Sequence, residues 1–194
     1  LRGSTADQVL VFLDGVPLHS SVGGPVDLST LPLGNIARIE VYRGATPLAF
    51  GASAIGGVIS ITTGKGKRKK LNLSLGGGSF DHRQAGVFYA QPFGTWNLSL
   101  GLNYTGWKGD FSYVNDNGTR FDASDDRTVT RKNNHYDQVN AMAKAAIRLG
   151  VHWRLTVMDW LFWRKQGVPG LGLFESQSVR YGLLENLSVI TVEG

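Results

Sequence analysis

The residues with the most evident chemistry lie between 107 and 126. Asp110, Asp116, Asp122, Asp125 and Asp126 are interleaved there with Trp107, Phe111, Tyr113 and Phe121. Carboxylates are hard oxygen donors, and a run of them invites calcium. The fragment Asn115-Asp116-Asn117-Gly118 fails the EF-hand spacing, because the first ligand position would be Tyr113 and the twelfth Ser124. Two readings stand: a solvated polar loop, or a weak calcium site drawn from Asp110, Asp116, Asp122, Asp125 and Asp126. Trp107, Phe111 and Tyr113 offer a different chemistry, flat contact with a ligand.

Catalytic spacings are missing. Gly51-Ala52-Ser53-Ala54-Ile55 lacks the closing glycine of a nucleophile elbow. Lys65 has no glycine six positions upstream and is followed by Gly66, so no phosphate-binding loop forms. His19, His82, His135 and His152 make no close pair, and without cysteine there is no thiolate zinc site, cysteine nucleophile or disulfide. The chain reads as no enzyme, with no cofactor. The run Lys65-Gly66-Lys67-Arg68-Lys69-Lys70 and the net charge of +5 suggest nucleic acid by composition alone. The run lacks interleaved aromatics and falls between two unlike halves, so it reads as a solvated linker, with no nucleic-acid partner.

The elements that must position these residues change character at that run. Among 194 residues there are 26 glycines and only 18 % charged side chains, which argues against helical bundles, coiled coils and simple disorder. Residues 1–64 are punctuated: a strand at Val9-Leu10-Val11-Phe12-Leu13, a turn at Asp14-Gly15, a short helical turn capped by Ser29 with Pro32 in it, a strand from Ile36 to Arg43, and another at 58–63 after a glycine-rich stretch. Residues 71–194 follow plain two-residue alternation, with strands expected at 71–80, 84–91, 96–105, 136–148, 152–165 and 177–188.

Strands of this length exceed the usual 5–6 residues of soluble sheets and suit a tilted bilayer crossing of about 9–11. From 96 to 104 one parity carries Trp96, three leucines and Tyr104, the pattern of a lipid-facing strand with rings at both interfaces. Connections alternate short and long, with a mild exception at 81–83. Six strands cannot close a membrane barrel, which needs about eight, so the chain reads as part of a longer protein. Its opening at Leu1, without Met or signal peptide, fits that expectation. Asp159 falls on the lipid parity, and a register-shifting bulge is expected there.

The first half carries a resemblance. In order come Arg2-Gly3, Val11-Phe12-Leu13-Asp14-Gly15-Val16-Pro17-Leu18, Asp27-Leu28-Ser29-Thr30-Leu31-Pro32, Ala37-Arg38-Ile39-Glu40-Val41-Tyr42-Arg43-Gly44, Phe50-Gly51 and Ala54-Ile55-Gly56-Gly57-Val58-Ile59-Ser60-Ile61. This series resembles the plug domain of TonB-dependent outer-membrane receptors. Over 71–194 the resemblance is looser, carried by Asn115-Asp116-Asn117-Gly118-Thr119 and Gly167-Val168-Pro169-Gly170.

The resemblance implies a mixed fold. A small α+β plug domain (1–64) and a basic periplasmic linker (65–70) precede the first antiparallel strands (71–194) of a transmembrane β-barrel of about 22 strands. It implies a bacterial outer-membrane transporter that binds a scarce nutrient, such as a ferric siderophore or cobalamin. The partners implied are TonB, engaged through an N-terminal box outside this chain, outer-membrane lipid and the small nutrient. It makes Arg2 and Arg43 plug arginines that pair with wall carboxylates, with Glu40 in the same network; the plainer reading is exposed strand-end charges. It places His19, Ser20 and Ser21 in a loop at the plug's top, either as ligand donors or as simple connection. The rival to this reading is a soluble all-β ligand-binding module, and an outer-membrane hydrolase barrel is more distant.

Overall fold

The computed structural model describes residues 5–19, 24–31, 35–43, 47, 50, 56–119, 121–171 and 174–194. The first half forms a four-stranded sheet of β1 (Val9–Leu13), β2 (Val16–Pro17), β3 (Ile36–Tyr42) and β4 (Gly57–Thr63), in the order β2-β1-β4-β3. The pairing of β1 with β4 is parallel and the others are antiparallel. Of the two central strands, β1 is a continuous apolar run, and β4 carries Val58, Ile59 and Ile61 with small hydroxyl side chains between and after them, as suits strands covered on both faces. Val11, Leu13 and Ile61 face one way, while Phe12 and Val58 pack the other way with Leu10, Tyr42 and Phe50. Asp14 and Gly15 both adopt positive φ, 50° and 85°, the tight hairpin turn that an Asp-Gly pair favours.

The expected helical turn is a single 3-10 turn, Leu28–Thr30. Its cap is Asp27, whose carboxylate accepts the Ser29 N–H at 2.9 Å, and not Ser29 itself. A carboxylate placed before the turn reaches the N–H two residues on, which leaves the Ser29 hydroxyl for other partners. Pro32 lies outside the described residues.

The second half is one six-stranded sheet of β5 (Lys70–Gly78), β6 (His82–Phe93), β7 (Trp96–Trp107), β10 (Tyr136–Leu149), β11 (Trp153–Gly167) and β14 (Arg180–Glu193). Each long strand pairs antiparallel with the next. Their positions follow the alternation read from sequence, except that β14 starts later and runs on to Glu193. Its extra residues Ile190 and Val192 pair with Val157 and Leu155 of β11, so the ladder continues. Within the long connections two small hairpins form, β8 (Ser112–Asn115) with β9 (Arg127–Thr130), and β12 (Gly170–Leu171) with β13 (Phe174–Glu175).

The parity has the expected meaning. Asn140, Met142, Lys144 and Ala146 of β10, with Met158, Trp160 and Phe162 of β11, are buried on the inner face. Leu100, Leu102, Leu161, Trp163, Leu184 and Ile190 stand exposed on the outer face. An apolar sheet face of this extent suits hydrocarbon rather than water. No helix among the described residues is long and apolar enough to cross a membrane.

Asp159 corrects one expectation. The β10–β11 register runs unbroken from Tyr136↔Gln166 to Leu149↔Trp153, so no bulge turns Asp159 inward. Its carboxylate stays on the outer face and accepts the Ser188 hydroxyl at 2.6 Å and the Asn186 amide at 3.2 Å. Donors from the neighbouring strand replace water there.

The two halves share one core. Val11, Leu13, Leu31 and Ile61 pack on Met142, Met158, Trp160, Phe162 and Val189. Phe162 and Leu13 are fully buried at this contact. The sheet itself ends in two open edges, β5 and β14, and unpaired backbone groups are costly in lipid. The 194-residue chain expressed alone is expected to yield no stable membrane unit; a monodisperse, trypsin-resistant species from it would refute this.

Candidate functional site

The contact between the first sheet and the strand wall is built around one buried cation. Lys144 points inward from β10 with its side chain only 6 % exposed. Its Nζ donates to Asp14 Oδ2 at 2.9 Å and to Thr63 Oγ1 at 2.7 Å. Thr63 Oγ1 in turn donates to Asp14 Oδ2 at 2.6 Å, and the Thr63 N–H donates to Asp14 Oδ1 at 2.9 Å. The hairpin turn holds Asp14 at the end of β1, next to the last residue of β4. An ammonium taken out of water needs both a counter-ion and filled hydrogen-bond positions, and the turn and β4 supply both.

Sequence reasoning missed this group. Asp14 reads as a turn residue and Lys144 as one more member of an alternating strand. The usable signal was a lone lysine on the inner parity among Asn140, Met142 and Ala146.

A second polar seam lies toward the long connections. Arg164 of β11 approaches Asp27 Oδ2 at 3.4 Å and donates to Ser29 Oγ at 3.1 Å. It also donates to Gln138 Oε1 from Nε at 3.1 Å and Nη2 at 2.8 Å, and stacks over the Phe162 ring at 5.2 Å. Asn140 joins in: its amide donates to the Thr30 carbonyl, and its oxygen accepts Trp160 Nε1–H at 3.1 Å. Burial pushes the Asp27 carboxyl up, but the bonds from Ser29 and the Arg164 charge outweigh it and hold it below its ordinary 3.8.

Above this seam a cleft of about 530 Å³ opens between residues 17–19 and 25–27 on one side and the strands β11 and β14 on the other. His19, Asp27, Trp160, Arg164, Tyr181 and Glu185 line it, over an apolar ledge that includes Leu18 and Leu187. The volume falls in the range of small-molecule sites, about 300–1,000 Å³. His19 lines this cleft, whereas Ser20 and Ser21 lie outside the described residues.

The remaining candidates are placed as follows. Arg2 lies outside the described residues. Glu40 pairs with Arg38 of its own strand at 3.2 Å, and Arg43 is exposed just past the end of β3. No ion pair among the described residues joins either Glu40 or Arg43 to the six strands. Ile39 and Val41 share a face with the wall-packed side chains of β4 yet remain 54 % and 48 % exposed.

Of the five aspartates, Asp110 meets Lys108 at 2.8 Å, and Asp116 and Asp122 accept N–H groups two residues on. Asp125 accepts Thr119 Oγ1 and Asn117 Nδ2. Local donors thus occupy four of the five, Asp126 follows the short turn Ala123–Asp125 as its C-cap, and among the described residues no three acidic or histidine side chains converge on a metal position. The aromatics knit loops together. Tyr113 donates to Glu175 at 2.8 Å under the Arg131 guanidinium, Phe111 packs on Phe80, and Trp107 on Tyr136. At the junction, Lys65 reaches Glu193 at 3.8 Å. Gly66, at φ +63°, passes so close to β7 that a Cβ would meet Ser99 Oγ at 2.7 Å.

A small sheet docked on the inner face of long, outwardly apolar strands has the arrangement of one sector of a plugged outer-membrane barrel. Comparison with known proteins agrees. Residues 1–58 match the family model described as "TonB-dependent Receptor Plug Domain". The vitamin B12 transporter BtuB of Photobacterium profundum is 29 % identical over 161 residues, 82 % of this chain and 25 % of that protein. The ferric-catecholate import receptor Fiu of E. coli K12 aligns with a TM-score of 0.59 at 17 % identity, over 88 % of this chain and 22 % of its own. The FpvAI–pyocin S2 complex aligns with a TM-score of 0.65 at 15 % identity, over 94 % and 24 %. The chain spans about a quarter of the length of the curated relative. Residues 1–58 thus match the plug domain of the TonB-dependent receptors, and the chain as a whole shares its fold with parts of outer-membrane receptors of that kind.

Two outcomes are expected in the complete protein. Asp14→Ala strands a buried ammonium and costs about 3–5 kcal/mol of plug docking. Asp14→Ala combined with Lys144→Met costs less than the sum of the two single changes. Thermal melts and plug proteolysis measure both, and additivity would show the pair to be uncoupled. For Asp27, whose folded value is depressed, the seam's contribution is present above pH 3.8 and lost as pH falls through the lower folded value. Pepsin should cut the wild-type plug increasingly over that window, while Asp27→Asn shows no such step.

Proposed function

We propose that the complete protein is an active-transport receptor, not an enzyme. It binds a scarce nutrient outside, a cobalamin or a ferric siderophore, and imports it with inner-membrane proton energy relayed by TonB. The observation that supports this most is the plug sealed to the inner wall by Lys144, Asp14, Thr63 and the shared apolar core. Passage through such a barrel requires the plug to move, and a pull on it must part contacts that water and new partners can replace. In this reading residues 1–64 are the plug, 65–70 the periplasmic linker and 71–194 the barrel. TonB acts through an N-terminal box. The exposed outer face argues against the soluble binding module.

His19, Ser20 and Ser21 contribute to ligand binding at the plug's top, with Trp107, Phe111 and Tyr113 at the barrel mouth. Arg2, Arg43 and Glu40 form a second lock, facing wall strands other than the six present here. The half-exposed Ile39 and Val41 on β3 support such a neighbour.

The test is uptake. Cells lacking the gene should fail to accumulate labelled cobalamin or ferric siderophore, and the complete gene should restore this only with an intact TonB and proton gradient. The complete protein should also need detergent and migrate as a folded species in unheated SDS; free solubility without detergent would sink the barrel reading. Arg43→Ala should leave ligand affinity near normal while plug proteolysis or antibiotic leakage rises. Arg43→Lys should rescue it only in part, because a point charge cannot reproduce a bidentate fork. A collapse of affinity with the plug still protected would make Arg43 a ligand contact instead.

A further inference from the structure

We infer that the two hairpins of the long connections, β8–β9 and β12–β13, move as one body, clasped together by Arg131. Arg131 directly follows β9, and its backbone N–H donates to the Phe111 carbonyl at 2.8 Å. Its guanidinium crosses to the other hairpin, where Nη2 donates to the Gly170 carbonyl and Nη1 lies 4.0 Å from the Glu175 carboxylate. Tyr113 of β8 completes the link. Its hydroxyl donates to Glu175 Oε1 at 2.8 Å, and the guanidinium lies over its ring at 5.6 Å. The Arg131 side chain is only 18 % exposed, which limits competition from water.

A second tie lies at the base of the connections. Asn133, at φ 55°, donates from its side-chain amide to the Val168 and Val179 carbonyls, at 3.0 Å each. One side chain of the first connection thus holds both ends of the second. Arg180 donates to the Asn133 side-chain oxygen in return. Gly167 permits this approach, since a Cβ there would clash with the Asn133 backbone and side-chain oxygens.

With ties at hairpin and base, neither hairpin can swing away alone. Opening either one must part charge-assisted hydrogen bonds to the other, which are stronger than neutral ones. Coupling of this kind is reciprocal, so whatever orders or displaces one hairpin does the same to its neighbour. A ligand that touches one connection is therefore sensed by both. The coupling goes beyond the receptor reading and holds whatever the nutrient is.

Hydrogen exchange of the complete protein in detergent tests it. Arg131→Ala should speed exchange by on the order of tenfold in segments 112–130 and 170–179 alike, with β10 and β11 unchanged. Glu175→Ala, made in the second connection, should in turn speed exchange over 112–130. Glu175→Gln, which keeps an acceptor for the Tyr113 hydroxyl, should do so much less. Faster exchange confined to the connection that carries the substitution, or no change in either, overturns the coupling. Where Arg131→Ala loosens β10 and β11 as well, Tyr113→Phe decides, because it removes a single hydroxyl. A rise on both sides then supports the clasp, and a rise on one side or neither overturns it. The uptake test reads the receptor reading separately, so failure of one leaves the other standing.

Discussion

An ammonium group buried in the wall of a barrel governs what can stand inside that barrel. Lys144 cannot reach bulk water at 6 % exposure, so whatever fills the lumen beside it must bring an anion. The plug meets this demand with backbone geometry as much as with side chains. Two consecutive positive φ angles make the β1–β2 turn and hold Asp14 at the end of β1, while the parallel pairing of β1 with β4 brings Thr63 alongside. The carboxylate then binds the ammonium, the Thr63 hydroxyl and the Thr63 N–H together. Apolar contact of Val11, Leu13, Leu31 and Ile61 with Met142, Met158, Trp160, Phe162 and Val189 adds the shared core. Hydrophobic burial is non-directional, however, and does not by itself fix how the plug is turned against the wall. The ionic group does.

The strands answer to two solvents at once. On β10 and β11 the inner parity carries Asn140, Lys144, Trp160 and Arg164, each bonded to the plug or to a neighbour that is. The outer parity carries Leu161, Trp163 and small alanines suited to lipid. Asp159 shows how an exception is tolerated, since Ser188 and Asn186 of the adjacent strand provide donors that lipid lacks. Moving the register by one residue would reverse both faces, burying leucines on the plug's polar seams and exposing Lys144 to hydrocarbon.

Alternation is a local property, and for that reason the long strands, their faces and the change of character near 65–70 were legible in the sequence. The series of plug motifs added the identity of the first half. The seams were not legible, because they join residues far apart in the chain: Asp14 and Lys144 are separated by 130 positions, and Asp27 and Arg164 by 137. Each member also has an innocent local explanation. Asp14 makes a turn, Asp27 caps one, and a lysine or arginine in an alternating strand looks like surface. Ser and Asp are close in cap preference, so the local sequence does not separate Ser29 from Asp27, and only the geometry shows that Asp27 occupies the cap. The Asp159 expectation failed because a cross-strand partner, invisible to parity, made a bulge unnecessary.

The position of the two seams bears on how binding and movement can be linked. Lys144 pairs with Met158 in the ladder and Gln138 with Arg164, so the seams are six residues apart, about 20 Å along the strands. The Arg164 seam borders the cleft and lies toward the long connections; the Lys144 group lies toward the short turns. A ligand in the cleft touches side chains of the first and none of the second. Differential contact is the condition for coupling between a site and a conformational change. Binding that draws a hydrogen bond away from Arg164 or Asp27 loosens the plug at its upper edge alone. The Lys144 group and the apolar core between the seams would keep the plug seated until a force acts from the other side. A single seam beside the cleft would let ligand alone release the plug. In the receptor proposed above, two seams of separate access would make occupancy and release distinct steps.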